Sequence, residues 1–102
     1  MAAALCAPHA VFAVDAEAAE SLARRENCLK CHGVDKKKEG PSYRSVAAKY
    51  RDKPDAEARL IEHVKSGKSV QMASGDWEDH KIIKTKDEEA IRNLIQWILS
   101  LD

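Results

Sequence analysis

The sequence predicts an all-α domain of three to five short helices gathered around a single motif. Three observations lead there. Apolar side chains recur at helical spacing in four stretches, and no βαβ pattern accompanies them. The run Cys28-Leu29-Lys30-Cys31-His32 sets two thiols three positions apart with an imidazole directly after them. With 102 residues the chain is one small domain with a limited core, so a large, covalently held apolar cofactor would supply much of the missing interior.

A Cys-x-x-Cys-His run is the attachment signature of a c-type haem. The order is what the chemistry requires: two cysteine sulfurs add to the haem vinyl groups as thioethers, and the next side chain lies under the iron as proximal ligand. A structural zinc would need four closed ligands, and no second cysteine pair or His-x-x-x-His follows. A thioredoxin-like dithiol would sit beside a βαβ pattern. Cys28 and Cys31 are therefore read as covalent haem anchors, His32 as the proximal iron ligand, and the cofactor as one haem c.

Residues 1–13 are Ala-rich and uncharged, and they end in Val11-Phe12-Ala13, a small-x-Ala type of cleavage signal. They read as the remnant of a secretory leader, removed to leave a mature domain over 14–102. The basic start of a leader is missing, so the sequence is expected to begin inside one. Cys6 would go with the leader, leaving Cys28 and Cys31 as the only thiols, which suits an oxidising compartment outside the cytoplasm. A membrane anchor would need about 20 apolar residues, and no such run exists. Basic and acidic side chains number 17 each, and this neutrality argues against nucleic acid as a partner.

In chain order, Ala16, Ala19, Leu22 and Ala23 predict a first helix over about 15–27 that delivers Cys28 at its end, with Arg24 and Arg25 suiting the helix dipole. Gly33 allows a sharp turn, and the charged run Lys36-Lys37-Lys38-Glu39 reads as a solvated, mobile loop whose lysines could form a cationic rim near the haem. Gly40-Pro41-Ser42-Tyr43 breaks the chain before a helix over about 43–49. A third helix, over about 55–65, carries Leu60, Ile61 and Val64 on one stripe and stops at Gly67. His63 lies beside that stripe and reads as a surface or packing histidine. Residues 68–84 show neither helical nor strand period and are expected to form a loop over the open haem face. The last helix follows a capping box of Thr85 and Glu88, and its stripe is Ile91, Leu94, Ile95, Ile98 and Leu99, with Trp97 also in the core.

These residues resemble the class I c-type cytochromes, particularly the small soluble bacterial ones. The resemblance covers nearly all of residues 14–102: the helix ending in Cys28-x-x-Cys31-His32, then Gly40-Pro41-Ser42-Tyr43 with Val46-Ala47-Ala48-Lys49-Tyr50, then Lys65-Ser66-Gly67, then Leu94-Ile95-Gln96-Trp97-Ile98-Leu99. It implies the small cytochrome c fold, with first and last helices crossing at the base of the haem pocket. It also implies that the Pro41 carbonyl accepts a hydrogen bond from the second nitrogen of His32 and so holds the imidazole.

One departure concerns the distal ligand. The family commonly closes its iron with a methionine in a Pro-rich loop, and this chain has no such run. By resemblance the ligand lies roughly seven residues before the first acid of the last helix. Seven positions before Asp87 stands His80, whereas Met72 is fifteen before it. His80 is placed first and Met72 second, with His63, a lysine or an open site behind them, and the choice matters because a thioether raises the potential relative to a second imidazole.

The sequence thus predicts a soluble periplasmic one-electron carrier, monomeric and without catalytic residues. Its expected partners are redox proteins: a reductase, an oxidase or another cytochrome. The alternatives are a haem sensor with a displaceable sixth ligand and a haem subunit of a larger oxidoreductase.

Overall fold

A computed structural model describes residues 13–102. Residues 1–12, with Cys6 and most of the expected leader, lie outside the described residues. Four α-helices are present: α1 (Ala16–Arg25), α2 (Tyr43–Tyr50), α3 (Ala56–Ser66) and α4 (Glu88–Ser100), with a 3-10 turn at Cys28–Lys30. The all-α expectation holds, and α1 stops two residues earlier than its periodicity suggested.

Helix α4 is the centre, because its apolar residues extend around most of its circumference. Ile91, Leu94 and Ile95 are almost wholly shielded from solvent, and α1, α2 and α3 all pack against this helix. Ala19, Leu22 and Ala23 of α1, Tyr43 of α2 and Leu60 of α3 complete one core with Trp97 and Ile98. Small residues at Ala19 and Ala23 let α1 approach α4 closely. The crossing is pinned by a reciprocal pair: Asp15 N–H donates to Asn93 Oδ1 at 2.9 Å, and Asn93 Nδ2 donates to the Asp15 carbonyl at 2.8 Å. Asp15 also caps α1, its carboxylate accepting from Ala18 N–H at 3.0 Å.

Two expectations are corrected. The N-cap of α4 is Asp87, not Thr85: the Asp87 carboxylate accepts from both Glu89 and Ala90 N–H at 3.1 Å. A charged acceptor at the positive helix end outcompetes a hydroxyl, and Thr85 instead accepts from Asp87 N–H at 3.2 Å. The second correction lies in residues 68–84, which contain a small antiparallel hairpin, β1 (Ser69–Gln71) and β2 (Trp77–Asp79), in the register Ser69↔Asp79, Val70↔Glu78, Gln71↔Trp77. Its strands have three residues each and β2 is exposed throughout, so no alternation of apolar and polar side chains marks it. Gly75, at φ 95°, turns the chain between them.

The charged loop after the motif is also tied down. Lys38 Nζ donates to the Leu29 carbonyl at 2.8 Å, and Lys37 pairs with His32 as an isolated bridge. No helix among the described residues is long and apolar enough to cross a membrane.

Glu26 joins the two ends of the domain. It is buried, and its carboxylate accepts from Lys84 N–H at 2.8 Å and Thr85 N–H at 3.1 Å. Glu26→Ala leaves both amides without a charged acceptor and is expected to lower stability by about 2 kcal/mol, read as an earlier guanidinium midpoint. Glu20→Ala removes only a half-exposed helix pair with Arg24 and should shift stability by less than about 0.5 kcal/mol. Equal midpoints for the two variants would remove Glu26 from this role.

Candidate haem-binding site

The motif is shaped by the end of α1. Glu26 closes the helix, and Asn27 then takes the left-handed conformation, φ 60°, that Asn tolerates better than most residues. The backbone tightens at once: Cys31 N–H donates to the Cys28 carbonyl at 3.2 Å and His32 N–H to the same carbonyl at 2.9 Å. Both thiols and the imidazole therefore come from one compact turn. Cys28 and Cys31 are both half-buried. As a thiol, before haem attachment, Cys28 has its pKa pushed up by burial, pulled down by a hydrogen bond with Tyr43 and raised by nearby Glu26.

His32 is held on three sides. Its Nδ1–H donates to the Pro41 carbonyl at 2.8 Å, which assigns the tautomer and leaves the Nε2 lone pair free. Tyr43, buried in the core, stacks on the ring with centres 5.3 Å apart and planes 15° apart, and meets Trp97 edge-on at 5.8 Å. Gly40 fills the third side with nothing: a Cβ there would stand 2.6 Å from His32 Cε1 and 2.9 Å from Nδ1. Burial, opposed by the Pro41 bond, lowers the His32 pKa, with His80 lowering it further. Burial also pushes the Tyr43 hydroxyl far above its ordinary range.

His80 follows directly on β2. Its N–H donates to the Lys68 carbonyl at 2.9 Å and its Nδ1–H to the Lys81 carbonyl at 2.8 Å, so its Nε2 is also free. Its ring centre lies 6.0 Å from that of His32, with the planes tilted by 44°. Met72 is held elsewhere, at the tip of the hairpin. Its N–H donates to the Asp76 carbonyl at 2.7 Å, the next N–H reaches Glu39, and its side chain lines a groove of about 740 Å³ with Asp35, Lys37, Glu39, Gly40 and Pro41.

Two residues here carried no site role in the sequence reading, and a third was placed behind His80 and Met72. Tyr43 and Glu26 look like an ordinary aromatic and an ordinary helix-end acid until tertiary packing sets them against the motif. His63 is the third: half-buried on α3, its ring lies 4.2 Å from that of His80. Burial lowers its pKa, and His80, His32 and Lys68 add to the shift.

This donor set fits a covalent haem. Two imidazoles that share one iron, each bonded at about 2 Å, have ring centres about 6 Å apart, which is the separation of His32 and His80. Fold and site together define a small haem protein of the class I cytochrome type.

The comparisons agree. The family described as Cytochrome c matches residues 16–102. Cytochrome c-552 of Nitrosomonas europaea is 37% identical over 89 residues, covering 84% of this chain and 81% of its own. Cytochrome c-551 of Pseudomonas aeruginosa is 36% identical, covering 83% and 78%. The crystal structure of the class 1 cytochrome MtoD from Sideroxydans lithotrophicus ES-1 superposes with a TM-score of 0.83 at 61% identity, covering 86% of this chain and 97% of that one. The chain belongs to the cytochrome c family: a haem-based electron carrier with one covalently bound c-type haem.

Gly40→Ala should push the His32 ring off the Pro41 carbonyl, since a Cβ at 2.6 Å from the ring must displace one or the other. The expected result is a several-fold fall in haem per polypeptide, measured as the pyridine haemochrome. Full haem content and an unaltered Soret band in this variant would show that the ring does not need the gap.

Proposed function

We propose that the chain is a periplasmic one-electron carrier in which Cys28 and Cys31 form the thioethers, His32 is the proximal ligand and His80 the distal one. When bound, the haem supplies a one-electron ferric–ferrous couple, at a lower potential with two imidazoles than with an imidazole and a thioether. The observation that carries the reading is the pair of imidazoles with ring centres 6.0 Å apart, each with Nδ1–H tied to a backbone carbonyl and Nε2 left as the donor. The chain's own work is positional. Pro41 and Tyr43 orient His32, Lys68 and Lys81 orient His80, and the α1–α4 crossing holds the motif against the core. With His32 and His80 both holding the iron, no place would remain for a substrate or a sensed gas. That favours a carrier over a sensor and over catalysis. Met72, held at the hairpin tip against Glu39, is assigned no iron bond.

The domain over 14–102, export through the leader at 1–13, and a monomeric state belong to the same proposal. So do redox proteins as partners, reached at the exposed haem edge. Lys36, Lys37, Lys81 and Lys84 are exposed and are proposed as the cationic rim that orients an acidic partner. Lys38 contributes less, being tied to Leu29.

The ferric protein should be low-spin and lack the weak far-red absorbance of a methionine–iron bond, and Met72→Leu should leave its spectrum unchanged. Far-red absorbance that disappears only in Met72→Leu would overturn His80 as the ligand. For the rim, electron transfer to an acidic partner should slow as salt rises, because the screening length is only about 8 Å at physiological ionic strength. A rate indifferent to salt would leave these lysines as solubility residues.

A further inference from the structure

Three imidazoles cluster at this site, and the proposed function uses two. His63 stands on the last turns of α3 with its ring 4.2 Å from that of His80 and the planes 50° apart. Among the described residues neither of its ring nitrogens is hydrogen-bonded, in contrast to His32 and His80, whose Nδ1 atoms are both engaged.

The two histidines are mounted differently. His63 belongs to a helix anchored in the core through Leu60 and fastened to α4 by Glu57, which meets Arg92 at 3.1 Å and Gln96 at 3.3 Å, and by Lys65, which meets Glu88 at 2.6 Å. His80 belongs to a connector whose neighbours on both sides are exposed, with Ile83 as its nearest buried residue. Near His80 the connector is held by two backbone bonds, His80 N–H to Lys68 beyond the end of α3 at 2.9 Å and Ile83 N–H to Val64 of α3 at 2.8 Å, and Glu26 fixes it only further on, at Lys84 and Thr85. The stretch Asp79 to Ile82, which has no buried residue, is the part that opens at low free energy, whereas a helix with a buried stripe does not. Opening of the connector removes His80 and leaves His63 in place.

We propose, resting on His80 as the distal ligand, that His63 is a reserve iron ligand that takes the distal position when the connector opens. One iron–nitrogen bond breaks and one forms. Both donors are neutral imidazoles, so no electron or proton is exchanged and the low-spin state persists. The rings already touch, and a rotamer change on α3 supplies the remaining reach. Met72 competes poorly because its backbone is tied to Asp76 and its neighbour to Glu39, while Lys81 leaves with His80. The consequence is an iron that stays six-coordinate and closed to small ligands while the connector is displaced.

The test is the ferric paramagnetic resonance spectrum and carbon monoxide uptake of His80→Ala, His63→Phe and the double variant, all isolated with haem attached. His80→Ala should remain low-spin with two-imidazole g-values and resist carbon monoxide. The double variant should turn high-spin and bind carbon monoxide promptly. A high-spin His80→Ala, a far-red methionine absorbance in it, or a double variant that stays low-spin through another group would each overturn the reserve role. If His63→Phe alone turned high-spin while His80→Ala matched the unmodified protein, His63 would be the resident ligand and the assignment of His80 itself would fall. Should His80→Ala yield too little holoprotein, the unmodified protein in sub-denaturing guanidinium should show a second low-spin signal that His63→Phe lacks. Its persistence in His63→Phe, or its failure to form, would overturn the proposal.

Discussion

The hydrogen bond from His32 Nδ1 to the Pro41 carbonyl is the constraint on which the site depends. It chooses the tautomer, and the tautomer decides which nitrogen can bind a metal. The bond in turn needs the Gly33 to Ser42 loop to fold back on the motif. Gly40 N–H donates to the Cys31 carbonyl at 2.8 Å and Tyr43 N–H to that of Gly33 at 2.9 Å, so the loop is closed at both ends. Tyr43 then passes the arrangement inward by stacking on His32 and setting its edge against Trp97. A ligand orientation is in this way coupled to the packing of α4.

That coupling explains which parts of the molecule were legible in the sequence. The four helices could be read because each buries one stripe in a shared core, and the 3.6-residue period is the direct trace of that burial. The motif could be read because tether and ligand come from one turn and need no tertiary context. Pro41 was reached through family resemblance alone, and its distance from His32 in the structure agrees. The hairpin escaped because its strands have three residues each and β2 buries no face, so no period is left. The cap of α4 was misassigned by two residues because Thr85 and Asp87 are both good capping types, and only the geometry of the two N–H groups decides between them. Glu26 and Tyr43 could not be read at all, and His63 was ranked low, since what each does depends on a neighbour far away in the chain.

The hairpin also bears on the distal ligand. Pairing Ser69 with Asp79 sends Met72 out to the tip and brings the next residue, His80, back beside Lys68 at the end of α3. A loop without that pairing could present either side chain. The register thus favours the same residue that counting back from α4 selects, by a different physical route: one measures chain length to a helix start, the other the closure of a ladder.

The two faces of the site are therefore built to different standards. The proximal imidazole is backed by Tyr43 and, through it, by the most buried helix in the chain, so it can move only if the core moves. The distal imidazole is reached over Gly67, whose φ of 66° turns the chain sharply back on α3; a Cβ there would stand 2.9 Å from Ile82. Beyond that turn the connector depends on backbone bonds, on the buried side chain of Ile83 and, further on at Lys84 and Thr85, on the buried carboxylate of Glu26. Free energy for local opening follows buried apolar contact more closely than it follows hydrogen-bond number in exposed segments. With His80 as the proposed distal ligand, a change of iron ligation would begin on its side, next to His63, whose ring lies in contact with it.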